Sequence, residues 1–203
     1  MTDWVDGRYA IHKRGRLWRL TITPAEADWW TPESASQLSE EHTEIAAILD
    51  GSKQLPTSEL FEQAGSKDPY RVHAAITALS RVADSWRPDE INQRSPENRV
   101  TSLLALKSAS NIHNLGRTVA IDPHDWVPTF LSDHSATVRF EALRWICDAS
   151  FDDYLPQVDA ILDDPSTNFE LFEAAIACKN SLTGKPEIGL RDAAALLARV
   201  RDS

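Results

Sequence analysis

Glycine is scarce in this chain, with seven among 203 residues, and none of the seven belongs to a Gly-rich phosphate loop or to the elbow of a Ser nucleophile. Cysteine is scarcer still: Cys147 and Cys178 are the two present, far apart in sequence, so neither a Cys-x-x-Cys redox or zinc motif nor a haem-attachment motif can be assembled. Both sit beside apolar residues in helical patterns, which predicts free, buried thiols rather than a disulfide. Basic residues are outnumbered, 21 Lys and Arg against 31 Asp and Glu, for a formal charge of −10. That balance opposes approach to polyphosphate surfaces, so nucleic acid is not expected as a partner. Long apolar runs are missing as well; Ala193 to Ala198 is short beside the roughly 20 residues that span a bilayer, and the N-terminus has no apolar signal core, so no membrane insertion is expected. The chain as given is expected to be soluble and cytoplasmic.

What the chain does contain is 42% apolar residues, enough for a core, arranged in two different periods. Within residues 1–39, Arg8 to His12 and Arg16 to Thr23 read as extended segments around Lys13-Arg14-Gly15. Leu17, Arg19, Thr21 and Thr23 alternate there with Trp18, Leu20 and Ile22, a strand pattern that predicts a short β-hairpin or extended segment. Such a hairpin is marginal alone, so it either packs on the helical body or is the remnant of a larger sheet outside this chain. From residue 40 to 203 the period is helical. Ser39 and Thr57 are placed as N-caps, Gly51 and Gly65 as stops, and prolines punctuate the rest at turns or first helical turns.

Four segments of the helical part align without gaps: YRVHAAITA at 70–78, NRVTSLLAL at 98–106, VRFEALRWI at 138–146 and ELFEAAIAC at 170–178. Their starts lie 28, 40 and 32 residues apart, a spacing suited to two-helix repeats and not to coiled-coil heptads. Val72, Ala75 and Leu79, like Phe140, Leu143 and Cys147, form one apolar stripe. Small residues recur at Ala74, Ser102, Ala142 and Ala174, where a neighbouring helix can approach. Asp-, Ser- and Pro-rich turns precede each segment, and DWVPTFLSD at 125–133 and YLPQVDAILDD at 154–164 read as partner helices. No such pair buries its apolar face alone, so the stack is the fold.

The stretch DHSATVRFEALRWI, followed by LPQVDAILDDP and ELFEAAIACKNSLTGKP, resembles the HEAT repeat. That resemblance implies an all-α, armadillo-like α-α superhelix of about four helix pairs, right-handed or gently curved, whose concave face is the partner surface. GRLWRLT at 15–21, together with the repeat segments, further resembles the region joining a β-propeller to a HEAT array in planctomycete-type membrane-bound dehydrogenase and haem-binding proteins. As a piece of that larger family the chain would be a periplasmic spacer between redox domains. It lacks the family's Cys-x-x-Cys-His motif, a full propeller and a signal peptide, so the redox chemistry does not carry over.

Candidate sites follow from these patterns. Arg71, Arg99 and Arg139 share one slot of the repeat, and the HEAT resemblance implies that they tie repeats together, with Asp68, Glu97 and Asp133 as nearby partners. Of seven tryptophans, Trp126 and Trp145 fall at core positions, whereas Trp4, Trp18, Trp29, Trp30 and Trp86 lie in connectors or the hairpin, where exposed aromatics form a docking patch, with Trp18, Trp29, Trp30 and Trp86 as the candidate docking aromatics. The histidines offer no i, i+4 pairing for a metal; His124 and Asp133, placed on one helix, are nine residues apart. Neither a catalytic residue nor a cofactor is expected. The function expected is a non-catalytic protein-interaction scaffold or spacer with a basic or neutral protein partner. The alternative is a DNA-processing enzyme resembling the HEAT-repeat alkyl-purine DNA glycosylases, with Trp145 and Asp148 as the imitating pair.

Overall fold

A computed structural model describes residues 2–3, 16–17, 40–110, 121–185 and 189–201. The chain forms two compact units, Met1–Thr43 and Glu44–Ser203.

In the first unit, β1 (Thr2–Asp3) pairs antiparallel with β2 (Arg16–Leu17), Thr2 opposite Leu17 and Asp3 opposite Arg16. Arg16–Leu17 belongs to the segment expected to be extended, Arg16 to Thr23. Alternation marks a strand and its two faces but does not specify the partner strand. Arg8–His12, Lys13–Gly15 and the remainder up to Thr23 lie outside the described residues.

The second unit is helical. After α1 (Glu40–Asp50) come four pairs, each a short helix followed by a longer one: α2 (Thr57–Ala64) with α3 (Pro69–Ser80), α4 (Pro88–Asn92) with α5 (Pro96–Ser110), α6 (Val127–Leu131) with α7 (Ala136–Ala149), and α8 (Leu155–Asp163) with α9 (Phe169–Leu182). A final helix, α10 (Leu190–Arg201), packs on α9. The members of each pair touch, and the longer helices pack in chain order, α3 on α5, α5 on α7 and α7 on α9. The four aligned segments therefore occupy equivalent places, each starting at the second or third residue of its helix.

Local chemistry explains the helix starts. Asp68 accepts the Tyr70 N–H at 3.0 Å ahead of Pro69, Ser95 accepts that of Asn98 at 3.3 Å ahead of Pro96, and Asn168 accepts that of Leu171 at 3.0 Å. In each case a side-chain oxygen satisfies a donor left free by the helix geometry, and a proline at the first helical position sacrifices no hydrogen bond. Two expected signals differ. Thr57 is the first residue of α2 rather than its cap, because Pro56 supplies the preceding extended backbone and no side-chain cap bond forms. Gly65 ends α2 with φ −85°, so no left-handed glycine is needed there.

Gly51 does use that freedom. Its φ is +85°, just past the C-terminus of α1, and beside it Arg81 donates Nη1 to the Ile48 carbonyl at 3.0 Å and Nη2 to that of Leu49. A guanidinium on the last carbonyls of a helix satisfies free acceptors and offsets the negative end of its dipole. A Cβ on Gly51 would meet Arg81 Nη1 at 3.5 Å, an ordinary contact, so the cost of Gly51→Ala is that of the backbone alone. A loss of about 1–2 kcal/mol is expected, read as a lower urea midpoint with an unchanged slope; an unchanged midpoint would show that the turn has another way to close.

The core runs through all four pairs. The sixth position of the aligned segments, Ala75, Leu103, Leu143 and Ala175, is buried in every helix, while the small fifth position is buried at Ala74, Ser102 and Ala142 and partly buried at Ala174. The buried serine, threonine and asparagine side chains named next have partners. The Ser80 hydroxyl donates to the Thr77 carbonyl, Ser110 to Lys107 and Thr167 to Ile161, and the Asn180 amide donates to Asp192, so their burial leaves no unmet hydrogen-bonding demand there.

Candidate functional site

The shared arginine slot does different work in each helix. Arg99, on α5, reaches forward to the turn before α7, donating Nε to Asp133 Oδ2 at 2.7 Å and Nη2 to Oδ1 at 3.0 Å. Its Nη1 donates to the Arg94 carbonyl at 2.6 Å, and the two side chains are 13% and 5% exposed. Asp133 also accepts the Ser135 N–H at 2.7 Å, fixing the approach to α7. One carboxylate thus ties a repeat-like pair to the next and shapes the turn between them. Arg71 turns back to Glu44 on α1, at 3.4 Å. The Lys53 ammonium, first by its hydrogen bond and then by its charge, holds the Glu44 carboxyl below its ordinary range, and Arg71 adds to the effect. Arg139 Nε is buried and has no hydrogen-bond partner among the described residues. The slot was legible, and Asp133, offered as a partner, is the acid that Arg99 bonds; which arginine takes which acid was not. Glu97, offered as a partner, has its carboxyl held low first by its own backbone N–H and next by Ser95, with Arg99 contributing least.

Trp86, expected as a docking aromatic, is 8% exposed. It stacks against Phe61 with ring centroids 6.0 Å apart, and the Arg94 guanidinium lies 4.7 Å from the Trp86 ring centroid and 4.6 Å from that of Phe61. Arg94 also donates to the Ser102 hydroxyl at 2.7 Å, and burial lowers its pKa from the ordinary arginine value against the opposing charge of Glu90. Trp86 is thus a wall of the core that holds a cation. Trp4, Trp18, Trp29 and Trp30 lie outside the described residues.

Trp145 and Asp148, the pair that would imitate a DNA glycosylase, do not form an open site. Trp145 is 1% exposed, and Asp148 accepts from Lys107 Nζ at 2.5 Å. An indole enclosed in the core cannot stack on an extruded base. His124 and Asp133 do not share a helix either: His124 lies in a short 3₁₀ turn, Pro123–Asp125, and Asp133 follows α6. His124 Nδ1 is 3.3 Å from both the Tyr154 hydroxyl and Asp153 Oδ2, and its ring stacks on Tyr154 with 5.5 Å between centroids. Burial, then the charges of Asp153, Asp122 and Asp125, raise the Tyr154 pKa. Among the described residues no group of three or more His, Cys, Asp or Glu is placed to hold a metal ion, and no helix is long and apolar enough to cross a membrane.

Two grooves open between successive pairs. The more apolar one, about 420 Å³, lies between α6 and α8 and is walled by Pro128, Leu131, Tyr154, Ala160 and Ile161, with polar atoms from Ser132, Gln157 and Asp164. Its geometry suits insertion of an apolar side chain. The second, about 380 Å³, is lined by Asn92, Thr129, Ser132 and His134 with the mutually engaged Arg99 and Asp133. Sequence patterns did not disclose either groove, because each depends on how far apart two short helices stand. No family model matches this chain, and neither a curated protein nor a solved structure matches it.

Proposed function

We propose that this chain is a non-catalytic protein-binding scaffold or spacer built of HEAT-like repeats, which takes an apolar side chain of a protein partner into the groove between α6 and α8. The observation that carries the proposal is the equivalence of the four aligned segments, each the second helix of a pair and each packed on the next. A stack of that kind presents the outer faces of successive short helices as an extended surface, which suits recognition better than chemistry. The Arg99–Asp133 clamp supports the same assignment, since it fixes the spacing of two pairs next to the groove. The partner favoured by an excess of acidic residues is basic or neutral, and Asp164 at the groove offers an acceptor for a cation beside the inserted apolar group.

Ala160 is exposed on the groove wall, so Ala160→Trp fills the groove without entering the core. Fluorescence anisotropy with short labelled peptides is the test. Peptides that place Leu or Phe beside Lys are expected to bind, acidic peptides of the same apolar content are not, and Ala160→Trp should weaken binding by about tenfold, or ~1.4 kcal/mol, with an unchanged circular dichroism spectrum. Equal binding by the wild type and Ala160→Trp removes the groove from the proposal.

A further inference from the structure

The polar groove of about 380 Å³ and the apolar one both draw on α6 and the turn after it. Pro128 and Leu131 line the apolar groove, Thr129 and Asp133 line the polar one, and Ser132 lines both. Three elements supply the polar groove with unspent hydrogen-bonding groups. Asn92 ends α4, Thr129 stands within α6 and His134 lies in the turn before α7. None of these three side chains has a hydrogen-bond partner among the described residues. Arg99 lines the same groove, and its bonds to Asp133 and to the Arg94 carbonyl leave a second N–H on each terminal nitrogen. Its charge is balanced there by Asp133, 2.7 Å away and 5% exposed. A carboxylate entering this groove meets Asp133 and a chain of formal charge −10, and an ammonium meets Arg99. A neutral group that both donates and accepts meets neither penalty. A primary amide is such a group: its oxygen can accept from Arg99 or Thr129, and its NH₂ can donate to the Asn92 carbonyl oxygen or the free nitrogen of a neutral His134.

We infer that the polar groove is a second subsite for the same protein partner, taking the side-chain amide of a Gln or Asn that lies close in sequence to the apolar residue held between α6 and α8. The inference rests on the scaffold reading, which supplies the apolar anchor. Because Ser132 borders both grooves, a partner segment anchored in one passes directly to the other. Extended chain advances roughly 3.3 Å per residue and crosses a helix about 10 Å wide in about three residues, so the amide belongs two to four positions from the anchor. The apolar groove then supplies affinity, and the polar one reads which residue follows, since a side chain that leaves these donors and acceptors unmatched forfeits their hydrogen bonds.

The test measures fluorescence anisotropy of the full chain with labelled peptides that share a Leu-Lys anchor and carry Gln, Ala, Glu or Lys two, three or four positions from the leucine. At one spacing or more, the Gln peptide is expected to bind the wild type about tenfold tighter than its Ala counterpart, with Glu and Lys no better than Ala. Asn92→Ala and Thr129→Val should each reduce that preference to about twofold or less while leaving the affinity for the Ala peptide unchanged, which also reports an intact fold. Ala160→Trp should weaken both peptides in equal proportion and keep the preference. In a ¹⁵N NMR spectrum the side-chain amide of Asn92 should shift with the Gln peptide and not with the Ala one. Equal binding of Gln and Ala peptides at every spacing, a preference for Glu or Lys, or a Gln preference that survives both Asn92→Ala and Thr129→Val overturns the inference. Any of these together with an intact Ala160→Trp effect refutes the second subsite alone. An Ala160→Trp variant that binds every peptide as the wild type does refutes the apolar groove beneath it, and no binding at millimolar concentration refutes both.

Discussion

Replacing Arg99 with alanine should cost about 3–5 kcal/mol of stability, far more than an ordinary surface ion pair. The cost comes from what is left behind. Asp133 is 5% exposed, and without the guanidinium its carboxylate stays in a poorly solvated turn with the Ser135 N–H as its remaining described hydrogen-bond donor. Exposed ion pairs contribute about 0–1 kcal/mol because water and salt screen them; a two-bond fork between side chains so well covered is in a different regime. Asp133→Asn retains the acceptor for Ser135 and isolates the loss of charge. The double variant Arg99→Met, Asp133→Leu removes both charges and should be more stable than Arg99→Ala, because no buried ion is stranded. Urea denaturation of the four proteins decides the matter, with hydrogen exchange expected to show faster opening of α7. A cost below about 1 kcal/mol for Arg99→Ala would place the pair among ordinary surface contacts.

That pair also shows how far the sequence could be read. The repeat slot identified Arg99, and the turn chemistry of Ser-Asp-His-Ser identified Asp133 as a nearby acid. Slot and turn lie 34 residues apart in sequence, and the helical period did not reveal that the arginine reaches forward to that turn. Arg71 and Arg139 occupy the same slot, yet one finds Glu44 and the other leaves a buried Nε without a partner among the described residues. A repeat pattern specifies position on a helix, while the partner depends on which acids the neighbouring turns happen to carry.

Trp86 was misplaced for a related reason. It stands between Asp84-Ser85 and Arg87-Pro88, a composition that belongs to exposed connectors, but it is covered by Phe61 and Arg94 from other parts of the chain. Local composition reports turn propensity; burial of a connector residue is settled by tertiary contacts. Arg94 had no repeat signal and was missed, as was Arg81, whose role is visible only once the end of α1 lies beside it. The helices themselves were legible because caps, prolines and apolar spacing agreed, as at Asp68-Pro69 and Ser95-Pro96.

Trp145→Ala is the core substitution with the largest expected effect, about 3–5 kcal/mol, or roughly 6–20 °C in melting temperature for a chain of this size. Its indole is among the largest fully buried side chains, 1% exposed, and the other aligned segments put Thr77, Ala105 and Ala177 at the same position. The space it fills thus belongs to α7 alone, and packed neighbours on α5 and α9 can collapse into it only in part. Trp145→Phe keeps most of the volume and should cost less than half as much. Scanning calorimetry of the two variants tests this. The comparison bears on function as well, because a tryptophan serving to stack on a ligand would be exposed, and its loss would leave the melting temperature nearly unchanged. A large drop for alanine with a modest one for phenylalanine marks this indole as structure, whereas equal and small shifts would return Trp145 to the candidates for binding.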